Sequence, residues 1–190
     1  MVSTTLKSRG LKFLTVQEVA KLTNNNNIVI IDVRPKEDYI KGHIPGARSA
    51  EYYRLIQGWD FNSAIRRAGF AFFGILNGTE GNPYFVDDVR DAIQQQGTSS
   101  GGVGIGGFFG GGGSNKKVVL VCTLGGSLDP YGPSEFGQQT RSLMAAYALY
   151  EAGVAKEVCV LKGGFSEWCR GEMDIDIEEE GVIEGIDSIN

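Results

Sequence analysis

Histidine is nearly absent: His43 stands alone in 190 residues. With no second histidine, a histidine-based metal site and a Ser-His-Asp triad are both poorly supported. No metal is expected. Cysteine is scarce too. Cys122, Cys159 and Cys169 are odd in number and show no C-x-x-C spacing, which argues against a disulfide framework and favours a reducing compartment. Positive charge is not in excess. A formal net charge of -5 argues against nucleic acid as a partner. Long apolar runs are missing as well. The longest candidate, "AGFAFFGIL" at Ala68–Leu76, is too short to cross a bilayer, so no transmembrane segment is expected. The opening "MVSTTLKSRG" lacks the apolar stretch of a signal peptide.

What is present is ordinary for a soluble globular domain: 42% hydrophobic and 22% charged residues, enough for one core. "TVQE" reads as a capping box, with Thr15 as N-cap and Glu18 at the third helical position. "IVIIDV" (Ile28–Val33) is a continuous β-branched run, the mark of a strand covered on both faces. Pro35 suits the first turn of a helix over "PKEDYIK", and "GHIPGA" is a turn. "KKVVLVC" is a second buried strand and "EVCVL" a third. A helix is expected over Gln138–Ala152, ending at Gly153, and another from Gly163 through Trp168. Alternating strands and helices mean an α/β fold with a mainly parallel sheet.

Between the first two strands lies a long interruption. "EYYRLIQ" and the amphipathic "FNSAIRRAGFAFFGIL" read as helices, and Asn82–Pro83 as the start of a third. No strand is evident from Glu51 to Ser114, so 51–96 reads as a helical insertion. Residues 97–114 form a glycine-rich loop with apolar intrusions at Val103, Ile105 and Phe108–Phe109. Arg66–Arg67 beside Phe70, Phe72 and Phe73 present either a packing face or a face for a partner or membrane surface. Residues 172–190 hold no lysine or arginine and read as a solvated acidic tail. The expected layout is an N-terminal extension over 1–13, one domain over 14–171, and that tail.

The chemistry centres on Cys122, at the end of a strand, and Arg141, at the start of a helix. A thiol facing a helix N-terminus and a guanidinium is placed to become a thiolate. The alternatives are a small buried cysteine and a surface ion pair from Arg141 to Asp129 or Glu135. Gly125 and Gly126 allow a left-handed backbone or close ligand approach, or serve only as turn residues. "CTLGG" is not a P-loop, since no Gly-Lys-Ser/Thr follows, and no cofactor is expected.

Three stretches together carry a resemblance. "IIDVRPKEDYIKGHIPGARS", "VVLVC" followed by an arginine-led helix, and "VCVLKGGFSEW" resemble, in order, the signatures of rhodanese domains. The resemblance implies a central parallel five-stranded sheet flanked by helices, here with a helical insertion. It implies Cys122 as persulfide nucleophile, with Arg141 and the backbone N–H groups of Thr123, Leu124, Gly125 and Gly126 as anion binders. It makes Asp32, Arg34 and His43 structural supports of the site. "GWDFNSAIRRAGFAFFGILNGTEGNPYF" and "CTLGGSLDP" with "GQQTRSLMAAYALYEAG" are similar to plant and algal plastid members with an expanded active-site loop. That closer likeness implies a chloroplast location, associated with the thylakoid.

Two functions follow from the resemblance. One is a weakly catalytic or non-catalytic interaction module that docks on a protein partner, a thylakoid photosynthetic complex, through the insertion, the glycine-rich loop or the tail. Peripheral membrane contact is part of that reading. The other is a thiosulfate-type sulfurtransferase acting through Cys122. Arg141 comes 19 positions after Cys122, where active members and the phosphatases on this fold keep a compact loop. Pro130 and Pro133 within that span supply no N–H. The expanded loop favours the interaction module.

Overall fold

The computed structural model describes residues 2–56, 79–96, 114–130 and 137–178. In chain order these hold α1 (Val2–Ser8), β1 (Lys12–Leu14), α2 (Val16–Ala20), β2 (Ile28–Asp32), α3 (Lys36–Lys41), β3 (Arg48–Ser49), β4 (Tyr53–Leu55), β5 (Thr79–Gly81), α4 (Phe85–Gln95), β6 (Ser114–Val121), α5 (Arg141–Glu151), β7 (Ala155–Leu161) and α6 (Gly164–Arg170). Five strands form one sheet in the order β1-β7-β6-β2-β3, every pairing parallel.

The continuous apolar runs are central strands because both faces of the sheet are covered. Side chains alternate across the sheet. Val29, Ile31, Val118, Leu120, Val158 and Val160 point into one core, with Leu6 of α1, Val89 of α4 and Leu143 and Leu149 of α5. Ile28, Ile30, Val119, Val121, Cys159 and Leu161 point into the other, with Val16 and Val19 of α2, Tyr39 of α3 and Trp168 of α6. The capping box forms as read: Glu18 N–H donates to Thr15 Oγ1 at 3.3 Å, and Thr15 N–H donates to Glu18 Oε2 at 2.8 Å.

Several expectations need correction. "EYYRLIQ" is not a helix: Tyr53–Leu55 is strand β4, paired antiparallel with β5, so the interruption does contain strands. Its adjacent tyrosines favour an extended backbone, and Tyr52 stands edge-on to Phe85 at 5.1 Å. The third helix of the interruption begins at Phe85, after an Asn82 side chain that accepts from Tyr84 N–H at 3.0 Å. The helix expected from Gln138 begins at Arg141, because Gln138 is paired with Ser127 and Thr140 is extended (φ −133°, ψ 172°). The first thirteen residues, read as an extension, contain α1, whose Leu6 is fully buried, and most of edge strand β1.

The start of the tail is bound down too. Asp176 and His43 exchange two backbone hydrogen bonds of 2.9 Å, and Trp168 Nε1–H donates to Asp174 O at 2.8 Å. The amphipathic "FNSAIRRAGFAFFGIL", nearly all of the glycine-rich loop and residues 179–190 lie outside the described residues. Among the described residues no helix is long and apolar enough to cross a membrane.

Candidate functional site

The parallel sheet puts the C-terminal ends of β2, β6 and β7 on one edge, where open α/β folds build their sites. Cys122 follows β6 directly and is 2% exposed. Its carbonyl accepts from Phe165 N–H at 2.8 Å, and the Thr123 carbonyl accepts from Ser166 N–H at 3.0 Å. The first turn of α6 therefore anchors the chain on both sides of the sulfur. Next to it the backbones pack without room for side chains. Gly125 has φ +73°, and a Cβ there would stand 2.7 Å from the nitrogens of Gly163 and Gly164. Only glycine meets both conditions.

This packing turns Gly125 N–H onto Cys122 Sγ at 3.2 Å. Gly126, with φ +81°, donates its N–H to Leu124 O at 2.8 Å instead. Of the four backbone donors expected around the sulfur, Gly125 alone donates to it among the described residues. Thr123 and Leu124 are exposed beside it.

Sequence reasoning missed two hydroxyls, on Thr140 and Ser142. Ser142, fully buried, places Oγ 3.0 Å from Cys122 Sγ, 3.1 Å from Gly125 O and 3.2 Å from Thr140 Oγ1. Thr140 Oγ1–H also reaches Gly125 O, at 3.3 Å. A serine hydroxyl carries one proton. With a neutral thiol, S–H donates to Ser142 Oγ and Ser142 donates to Gly125 O. With a charged sulfur, Ser142 must turn its proton to Sγ, and Thr140 keeps the Gly125 carbonyl satisfied. Two hydroxyls flanking an arginine at a helix start were the available signal.

The long span to Arg141 is subdivided. Ser127 and Gln138 exchange backbone hydrogen bonds of 3.1 and 2.9 Å, so the two ends of the span between them meet at one closed neck. Measured along the bonded path, Cys122 and Arg141 belong to a short loop. Arg141 is the first residue of α5 and lines a hollow of 160 Å³ with Cys122, Thr123, Leu124 and Thr140. Its guanidinium makes no ion pair with Asp129 among the described residues; Glu135 lies outside them.

Asp32, Arg34 and His43 stand behind the site. The guanidinium of Arg34 grips the fully buried carboxylate of Asp32 (Nη2 to Oδ2, 2.6 Å), donates to Gly42 O at 2.7 Å and covers the Phe165 ring at 3.8 Å. His43 donates from Nδ1 to Tyr39 O at 3.0 Å and stacks on the Tyr39 ring at 3.9 Å. These contacts tie the β2–α3 turn to α6. Burial pushes the Cys159 thiol up, and Cys169 is exposed. Among the described residues no group of three or more histidine, cysteine, aspartate or glutamate side chains is placed to hold a metal ion.

The site can therefore hold a sulfur atom beside one backbone donor and one hydroxyl, in a small hollow that Arg141 also lines. The Rhodanese-like domain family matches residues 15–170. The chain is 36% identical over 175 residues to the chloroplastic rhodanese-like domain-containing protein 14 of Arabidopsis thaliana, covering 92% of this chain and 69% of that one. Among solved structures it is similar to a thiosulfate sulfurtransferase from Pseudomonas aeruginosa (TM-score 0.47, 16% identity, 94% of this chain and 22% of that one). A rhodanese-like domain protein from Staphylococcus aureus is also similar (TM-score 0.45, 16% identity, 89% and 100%). With its signatures, its parallel five-stranded sheet and a match that spans most of its length, the chain belongs to the rhodanese-like domain family.

Proposed function

We propose that this rhodanese-like domain acts in a plastid as a sulfur carrier, holding a sulfane sulfur as a persulfide on Cys122. The observation that carries this reading is the small hollow that Cys122 shares with Arg141 despite the long span between them in sequence. Gly125 N–H and Ser142 Oγ reach the sulfur, and Cys122 and Arg141 line that hollow with Thr123, Leu124 and Thr140. In the loading step, thiolate Sγ attacks the outer sulfur of thiosulfate. The S–S bond breaks, its electron pair leaves with sulfite, and Cys122 keeps the sulfane sulfur. Arg141 and the Gly125 N–H group offset the negative charge during that transfer. The chloroplastic relative supports the plastid assignment.

A second reading keeps the domain as an interaction module on a thylakoid protein complex, docking through the 51–96 insertion, the glycine-rich loop or the tail. It is favoured by the single backbone N–H group on Sγ among the described residues, a sparse cradle for an anionic sulfur. Incubation with thiosulfate and cyanide separates the two. Sulfur carriage predicts thiocyanate formation and a mass gain of about 32 Da, one sulfur atom, on the Cys122 peptide. Cys122→Ser abolishes both. Absence of both in the unaltered protein leaves the interaction module.

A further inference from the structure

Strand β4 is paired on one side only. Among the described residues it forms a two-stranded sheet with β5, in which Tyr53 faces Gly81, Arg54 faces Glu80 and Leu55 faces Thr79. Asn82 N–H donates to Tyr52 O at 3.0 Å, in register with those pairs. Antiparallel partners alternate between bonded and non-bonded positions. Arg54 therefore turns its backbone groups toward Glu80, while Tyr53 and Leu55 turn theirs outward. Among the described residues those outward groups make no hydrogen bond. Such a row of N–H and C=O groups is a template for one more strand.

The outer edge runs along a groove of 640 Å³. One wall is Pro35, Lys36, Glu37 and Asp38, where the chain enters α3. The other holds Glu51 and the consecutive Tyr53, Arg54 and Leu55. The face of a strand shows alternate residues, whereas consecutive ones mark its edge. The charges along this groove differ in their freedom. The Lys36 ammonium is drawn to Glu178 at 3.6 Å and the Arg54 guanidinium to Glu80 at 3.4 Å. Glu37 and Asp38 are exposed and make no ion pair among the described residues. The groove therefore offers two unpaired carboxylates, two cations already paired, and an apolar patch at Leu55, which is 47% exposed. A second copy of the chain fits it poorly, because that copy would set the same carboxylates against themselves.

We propose that an extended, basic segment of a partner protein adds to β4 as a further strand. Its backbone bonds to Tyr53 and Leu55, a lysine or arginine faces Glu37 and Asp38, and an apolar side chain rests on Leu55. The assignment gives the docking reading of the 51–96 insertion a surface and a partner chemistry. It rests on that reading and needs no sulfur on Cys122.

The probe is a fluorescein-labelled hexapeptide of alternating lysine and valine, titrated with the full chain at low ionic strength and read by fluorescence anisotropy. It binds, and its counterpart with glutamate for lysine does not. Glu37→Gln with Asp38→Asn raises Kd roughly fivefold, the scale of two exposed ion pairs. Asp129→Asn with Glu172→Gln removes the same charge elsewhere and changes Kd by less than about twofold. N-methylation separates strand addition from charge attraction. Methyl groups on the lysine nitrogens or on the valine nitrogens leave the charge alone, and only one set faces β4. One methylated peptide therefore loses about tenfold in affinity and the other keeps it. Leu55→Pro removes an outward N–H and no ladder bond, and weakens binding more than Leu55→Ala does. Equal losses for the two methylated peptides, equal losses for the two pairs of acids, or no binding overturn the proposal. A dimer in sedimentation that Leu55→Pro dissolves overturns it in favour of a second copy. Peptide binding by a chain that also forms the Cys122 persulfide upholds the groove and sinks the reading of a module without sulfur chemistry. Absence of both persulfide and peptide binding sinks the groove and leaves that module its other surfaces, so the two fail separately.

Discussion

At the scale of single residues, the sulfur is governed by groups that have few alternatives. Ser142 is fully buried with one proton and three neighbours within 3.2 Å, so its hydroxyl is the adjustable donor of the site. Ser142→Ala is expected to slow iodoacetamide labelling of Cys122 about tenfold near neutral pH, the scale of a lost hydrogen bond to a charged group. Thr140→Val slows it less, and adds nothing in the Ser142→Ala background, because Thr140 matters only when Ser142 turns away from the Gly125 carbonyl. Peptide-resolved mass spectrometry reads the rate at Cys122 separately from exposed Cys169. Independent, additive losses would show that the two hydroxyls do not exchange roles. Gly125→Ala acts differently. Its Cβ would press on two backbone nitrogens at 2.7 Å from a left-handed conformation, so urea unfolding should register a loss of about 2–4 kcal/mol.

At the scale of elements, the end of β2, the turn after α3 and the first turn of α6 are held in one arrangement by Arg34. It spans Asp32 at the end of β2, Gly42 after α3 and Phe165 in α6. Removing one member of a buried pair leaves the other charge without compensation. Arg34→Met is therefore expected to cost about 3–5 kcal/mol by urea midpoint, and to lower Cys122 labelling selectivity as α6 loosens. Asp32→Asn combined with Arg34→Met should recover part of that loss. This frame was legible in the sequence. Asp32, Arg34 and His43 stood in one signature, and the β-branched runs announced strands covered on both faces. The neck at Ser127 and Gln138 was not legible, because two isolated backbone hydrogen bonds leave no periodic trace in side-chain type. The short strands β4 and β5 were missed for a related reason. Three residues are too few to show alternation, and their pairing partner lies more than twenty residues away. Thr140 and Ser142 were visible as hydroxyls at a helix start, but their inward aim depends on Thr140 being extended.

At the scale of the whole molecule, the last described segment closes the structure, and pH reports on that closure. Residues 174–178 cross α3 and the end of α6, bonding Trp168, His43 and Ile40 through their backbone, with Ile175 against Gly42. Under them lies Tyr39, 5% exposed, its hydroxyl donating to Ala47 O at 2.8 Å. Burial, with Glu178 and Asp32 nearby, pushes the Tyr39 phenol up to about 12. The folded state therefore prefers the neutral phenol. Its contribution is complete below the ordinary tyrosine value of about 10 and is lost as pH rises from there toward about 12. By linkage the loss is at most about 3 kcal/mol. Thermal melts should show the midpoint falling across that window, with a smaller fall in Tyr39→Phe, which has no proton to lose. A chain ending at Gly171 should fall earlier and further. It exposes Trp168, normally 2% exposed, which red-shifts its fluorescence, and it removes the segment that lies over Tyr39 of α3. A truncated chain with unchanged tryptophan emission and an unchanged alkaline limb would mean that the segment rests on the domain without stabilising it.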